Sequence, residues 1–180
     1  INQNEISFKN VFNDEISIGS DSYSFLKYKT NDILFTGNRK AIGTAYIDFY
    51  NNDKNLIIAT YDGIFAFTNV NNLEKFEKIN SNINSLIKYD KFYLHEQYGI
   101  KDIHIDDEKI YVSFIGERKN NCYDLKIITS KLNEKFLEFS LFYKTLSCVN
   151  ENNNHGFWAH QGAGGRIENL DDSNLLFSTG

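Results

Sequence analysis

The chain has 180 residues, 41% of them apolar and 15% aromatic, and carries a net charge of −5 with only 3 Arg. That is enough chain to bury a real core and too apolar for a disordered segment, and the acidic balance argues against a nucleic-acid binder with a basic face. No apolar run approaches the ~18 residues that carry a helix across a bilayer.

The excess of Asn (24 residues) and the absence of Pro read as codon usage in an AT-rich genome, and they carry no functional weight. The chain begins at Ile1 and contains no Met, so it is expected to be a processed form or a piece of a larger protein. Cys122 and Cys148 have no metal-ligand spacing; one disulfide and two buried thiols are both open.

In chain order, residues 1–22 are polar, with a strand expected near 6–12. A hairpin follows, with strands at 24–28 and 33–36 around a turn at 29–32. Residues 46–50 and 56–60 form a second hairpin around Asn51-Asn52-Asp53-Lys54-Asn55, and 63–67 supply a third strand. Residues 71–80, rich in Leu, Glu, Lys and Phe, read as a short helix or as a charged edge strand with a loop. The hairpin grammar returns at 102–105 and 110–114 around Asp106-Asp107-Glu108-Lys109, with further strands at 123–130 and 136–144. It returns again at 166–170 and 175–179 around Asp171-Asp172-Ser173-Asn174.

The second strands of these units begin at 56, 110 and 175, spacings of 54 and 65. Asn and Asp suit the turns because they tolerate left-handed backbone and bond their own main chain. A period a little above 50 with four strands per period is the arithmetic of a β-propeller blade. The expectation is an all-β fold, about three four-stranded blades of a six-bladed propeller. Residues 1–39 are N-terminal strands, 40–95 the first blade, 96–150 the second and 151–180 the start of a third. Three blades leave open edges, so the expectation is either a dimer or partner chain that completes the propeller, or a piece of a protein about twice as long. The acidic turns lack calcium-loop spacing and are read as turns, with no metal ligand assigned.

The densest segment is His155-Gly156-Phe157-Trp158-Ala159-His160-Gln161-Gly162-Ala163-Gly164-Gly165-Arg166, which holds two of the four His and the one Trp. Adjacent glycines permit sharp turns and close backbone approach; His takes a proton near neutral pH, and Arg grips a carboxylate. A packed, glycine-rich connector is the plain alternative.

His160-Gln161, then Gly164-Gly165-Arg166-Ile167, then Leu175-Leu176-Phe177-Ser178-Thr179-Gly180 resembles an element of the PQQ-dependent soluble glucose dehydrogenase and aldose sugar dehydrogenase family, the glucose/sorbosone dehydrogenase fold. Gln97-Tyr98-Gly99-Ile100 with Ile110-Tyr111-Val112-Ser113-Phe114 is similar to a second family element. Residues 56–60 with Asp62-Gly63-Ile64 resemble a third. The resemblance runs from about 40 to 180 and implies the N-terminal half of a six-bladed quinoprotein that oxidises an aldose at its anomeric carbon. It implies His160 as the base, Gln97 and Gln161 as substrate contacts, and Arg166 at the cofactor. PQQ and calcium are implied too, with most of their ligands outside this chain, and so is a periplasmic or extracellular location. Ala159, in place of an acidic residue, and the extra Gly162-Ala163 depart from the family pattern. The rival reading is a non-catalytic propeller that binds protein or glycan.

Overall fold

The computed structural model describes residues 5–30, 45–87, 92, 98–119, 121–150 and 164–179. These residues form an all-β fold with one short helix. Two hairpin-connected sheets and a final two-stranded hairpin stack face to face.

The first sheet is a meander of β3 (Ala45–Tyr50), β4 (Asn55–Thr60), β5 (Phe65–Asn69) and β6 (Lys75–Ser81), antiparallel throughout. Its leading turn puts Asn51, Asn52 and Asp53 at φ 57°, 52° and 58°, the left-handed region that the Asn-rich sequence anticipates. The segment with a helix-or-strand reading is strand β6. Phe76 and Ile79 are its buried residues, and pairing with β5 outweighs its Glu and Lys content. The helix is instead α1 (Ile83–Leu86), a single turn after β6.

Two further strands extend this sheet. β1 (Glu5–Ile18) pairs with β6 only over Glu5–Ser7, then runs on with β2 (Asp21–Thr30) as a two-stranded ribbon. Gly19 turns that ribbon at φ +65°, a position that suits Gly at the head of a two-residue hairpin loop. The expected turn at 29–32 is thus overturned at Lys29 and Thr30, which continue β2 and pair with Lys9 and Phe8. The expected strand at 33–36 lies outside the described residues.

The second sheet runs β7 (Ile100–Asp106), β8 (Lys109–Lys119), β9 (Cys122–Lys131) and β11 (Ser140–Lys144), and β12 (Val149–Asn150) adds to β9. The single strand expected over 136–144 is split. β10 (Phe136–Leu137) leaves the second sheet and pairs in parallel with β6 of the first. Its neighbour Phe139 is gripped by Asn82, whose amide donates to Phe139 O at 3.0 Å and accepts Phe139 N–H at 2.8 Å. Burial of Leu137 and Phe139 in the inter-sheet core favours this detour.

That core lies between the first two sheets and contains Ile57, Phe65, Phe92, Ile103, Ile110 and Phe114. On its other face the second sheet packs Tyr111, Ile127 and Tyr143 against Ile167, Leu175 and Phe177. These last three belong to the final hairpin, β13 (Gly164–Asp171) with β14 (Asn174–Thr179). Asp171 accepts from Ser173 N–H and the Asn174 amide, so this acidic turn is built from its own side chain.

Cys122 and Cys148 form a disulfide, Cα–Cα 5.4 Å, across 26 residues. It closes the outer edge of the second sheet beside Arg118, which binds buried Asp124 and the carbonyls of Thr145 and Leu146.

The Gly164-Gly165 pair serves close backbone approach, but to protein. A Cβ on Gly165 would lie 2.6 Å from Lys101 Cβ and 3.2 Å from Ser113 Oγ, and its φ is +115°. Gly165→Ala is expected to destabilise the protein by about 3 kcal/mol, through crowding plus backbone strain. Gly19→Ala, with nothing near its Cβ, should cost only about 1 kcal/mol. Urea denaturation measures both, and equal losses would refute the crowding argument. Reducing the disulfide should remove about 3 kcal/mol on loop-closure grounds, read as a lower urea midpoint in the presence of a thiol reductant.

Candidate functional site

The first strands of the three units, β3, β7 and β13, lie side by side. A cleft of about 280 Å³ opens along them, and Asp48, Asp102, His104, Arg166 and Glu168 are among its lining residues. Each unit places polar side chains on this strand, because the strand has a sheet partner on one edge only.

Two aspartates supply what the missing partner would. Asp48 Oδ2 accepts the N–H of Ile105 at 2.6 Å, which ties β3 to β7. Asp102 Oδ2 accepts the N–H of Ile167 at 2.9 Å, which ties β7 to β13. A buried backbone donor left unsatisfied costs about 1–3 kcal/mol, so these contacts carry the alignment of neighbouring units. Ser113 Oγ adds a third tie, donating to Gly165 O at 2.5 Å.

A polar row crosses the cleft two residues before each hairpin end: Asp48, His104 and Asn169. His104 Nε2 lies 3.0 Å from Asn169 Oδ1, and His104 Nδ1 lies 3.8 Å from Asp48 Oδ2. The Asn169 amide nitrogen donates to Asp106 Oδ1 at 3.2 Å. Because a carboxylate only accepts, the Asn169 oxygen faces His104, and Nε2 of the imidazole is the donor. The ring is 12% exposed and held from both sides, so it fixes strand positions more readily than it meets a ligand.

Burial raises the pKa of Asp102; the Ile167 N–H and the Arg166 charge oppose the shift without cancelling it. Tyr50 is also pushed up, first by burial and then by its 2.8 Å bond to Glu134.

Of the expected site residues, Arg166 is in the cleft. Its guanidinium lies 3.5 Å from Asp102 Oδ1, and its side chain is 73% exposed. His160, Gln97 and Gln161 lie outside the described residues. Asp48, Asp102, His104 and Asn169 were not singled out from the sequence. For the row Asp48, His104 and Asn169 a positional signal exists, a polar residue at nearly the same distance before each Asn/Asp turn, but nothing in the sequence says what it bonds, and Asp102 has no such signal.

The described residues do not fit an anionic quinone with its calcium ion. In the cleft Arg166 faces three carboxylates, Asp48, Asp102 and Glu168. Both oxygens of Asp48 accept backbone N–H groups, from Phe49 and Ile105. Among the described residues no group of three or more His, Cys, Asp or Glu could hold a metal ion, and no helix is long and apolar enough to cross a membrane.

A second cavity of about 300 Å³ lies where α1 meets the second sheet, lined by Leu86, Phe114, Arg118, Asp124, Lys126 and Lys144 among others. Its buried carboxylate, Asp124, is paired with Arg118 at 3.1 Å and Lys126 at 3.5 Å.

No family model matches the chain, and no curated protein sequence matches it. Among solved structures, a protein named glucose dehydrogenase aligns over 68% of this chain at 13% identity, with a TM-score of 0.49. The chain spans 36% of that protein's length. A likeness at this level decides neither fold nor activity.

Asp102→Ala should cost about 1–3 kcal/mol by orphaning the Ile167 N–H, whereas Asp102→Asn keeps an acceptor and should recover most of it. With a folded pKa above the unfolded value, Asp102 binds its proton more tightly when folded. Its contribution is therefore full below the unfolded pKa and declines as pH rises through the folded one. Urea midpoints of wild type and Asp102→Asn measured across the acid range should diverge in that sense. Parallel curves would count against the burial effect.

Proposed function

We propose that this chain is the N-terminal part of a propeller protein that oxidises an aldose at its anomeric carbon. The observation that carries the reading is the lateral contact of β7 and β13. In sequence, Gln97 precedes β7 by three residues and His160 precedes β13 by four. In sequence, then, the residues that the family resemblance assigns to the sugar, Gln97, His160 and Gln161, stand just before two first strands that are neighbours. Repeating sheets joined through their first strands, with a hairpin beginning a third unit, support the propeller architecture on which the assignment rests.

In this reading His160 takes the proton from the anomeric hydroxyl, and Gln97 and Gln161 hold the ring hydroxyls. Arg166 meets an anionic group at the edge of the cleft. A bound quinone would accept the hydride from the anomeric carbon, and it and its calcium ion would be held mostly by groups beyond these residues, on further chain or a partner that completes the ring. The Cys122–Cys148 disulfide supports a periplasmic or extracellular setting, where such bonds persist.

The test is dye reduction by aldoses after adding PQQ and calcium to the complete protein that carries this chain. Activity is expected, with a loss of roughly 10²–10⁴-fold in His160→Ala. Undiminished turnover in that variant would remove His160 as the base. Absence of both turnover and a quinone absorbance change would leave the non-catalytic binding propeller as the better account.

A further inference from the structure

The core between the first two sheets gives way to charge at one end. Along β9, Ile128, Lys126 and Asp124 share the face that closes this core, because alternate residues of a strand point the same way. On β8, Phe114 and Gly116 lie opposite Lys126 and Asp124. Phe114 and Ile128 belong to the core, and one step beyond them the same face lines the second cavity, of about 300 Å³.

Asp124 is only 1% exposed there, and its two oxygens are treated differently. Oδ2 accepts from Arg118 Nε at 3.1 Å. Oδ1 receives no hydrogen bond among the described residues, and the Lys126 ammonium at 3.5 Å gives it an ion contact alone. A buried carboxylate oxygen without a donor is costly, and this residue lines the cavity. Arg118 is committed elsewhere, since its remaining nitrogens bond the carbonyls of Leu146 and Thr145.

A second, independent feature is a pair of like charges. Lys126 and Lys144 are direct partners across the β9–β11 ladder, and both line the cavity. Like charges in opposed positions work against the sheet that holds them. Lys144 has no carboxylate partner among the described residues. Lys126 lies over Gly116, where a Cβ would stand 2.5 Å from its Nζ, and donates to Glu117 O at 3.4 Å. An anion between the two ammonium groups would relieve their repulsion.

The chemistry of the occupant follows from the lining. Three cations, Arg118, Lys126 and Lys144, face two carboxylates, Glu117 and Asp124. One positive charge in surplus suits a monoanion such as a carboxylate, whereas a phosphate monoester carries about −1.5 to −2. Asp124 Oδ1 asks for a donor, and two cations already beside it favour a neutral hydroxyl over an ammonium. Leu86, Ile87 and Phe114 offer an apolar wall to a carbon chain. The volume sits at the small end of the ~300–1,000 Å³ of ligand pockets.

We propose that this cavity binds a small hydroxylated carboxylate, a sugar acid or similar hydroxy acid, with its carboxylate between Lys126 and Lys144 and a hydroxyl donating to Asp124 Oδ1. The site is built from α1 and the second sheet and is independent of the sugar oxidation proposed above.

Isothermal titration calorimetry on the complete protein that carries this chain, with D-gluconate as probe, should show one binding site. Glucose lacks the carboxylate and hexanoate lacks the hydroxyls, so each should bind roughly tenfold more weakly or worse. Lys144→Gln, at an exposed position with no ion pair to lose, should keep the wild-type circular dichroism and weaken gluconate about tenfold. Lys144→Arg should bind nearly as wild type. No gluconate binding, equal binding by Lys144→Gln, equal binding of hexanoate, or tighter binding of inorganic phosphate would each overturn the proposal. The wild-type comparisons need no variant. His160→Ala should leave gluconate binding unchanged; its loss there, with Lys144→Gln unaffected, would place the ligand elsewhere and sink the assignment. Dye reduction by aldoses enters none of these readouts, so the two readings fail separately.

Discussion

The neighbouring first strands of the three units approach each other without forming a ladder, and the remainder of the molecule follows from how that contact is satisfied. A strand with one bonded edge presents a row of backbone groups on the other, and inside a protein such groups must find partners. Asp48 and Asp102 are those partners, each reaching across to a main-chain N–H of the next unit. One side chain thereby replaces a strand, and the sheets can splay outward instead of merging. The splay leaves wedge-shaped space that Ile, Phe and Tyr fill on both faces of the second sheet.

The same contact explains the charge of the cleft. Carboxylates that accept main-chain hydrogen bonds need to be near the backbone and are held there partly out of water, which is why burial raises the pKa of Asp102. His104 and Asn169 complete the row and link one carboxylate to another. Acidic groups collected for assembly leave the cleft with a field that disfavours an anionic ligand, apart from the exposed arm of Arg166.

The repeat was the most legible feature of the sequence, because Asn51–Asp53, Asp107 and Asp171–Asn174 encode turns by local chemistry that needs no distant partner. The strand ends that flank these three turns followed to within one residue. Less legible was anything decided by distant packing. Phe136 to Lys144 carries one continuous strand pattern, yet Leu137 and Phe139 are drawn into the first sheet's core. The charged run of β6 has helical composition, and pairing with β5 overrules it. The aspartate ties were invisible because a lone Asp on a strand has the same sequence appearance whether it meets water or the next unit's backbone. Gly164 and Gly165 were legible as a close approach, but the sequence does not say to what. The structure answers with Lys101, Ser113 and Ser178. Of the assigned site, only the placement of Arg166 beside Asp102 can be compared with expectation, and there it serves an ion pair.

The detour of β10 sets how the molecule comes apart. By pairing with β6 and seating Leu137 beneath it, a segment of the second sheet is threaded into the first. Neither sheet can open without exposing the other's core, so the two share a single cooperative transition. The β13–β14 hairpin has no such strap and is held by side chains, one interface and the glycine contact. Its amides should open, in a native-state exchange experiment, at a free energy below that of the two sheets. One of the three strands that line the cleft, β13, thus opens more readily than the two sheets behind it.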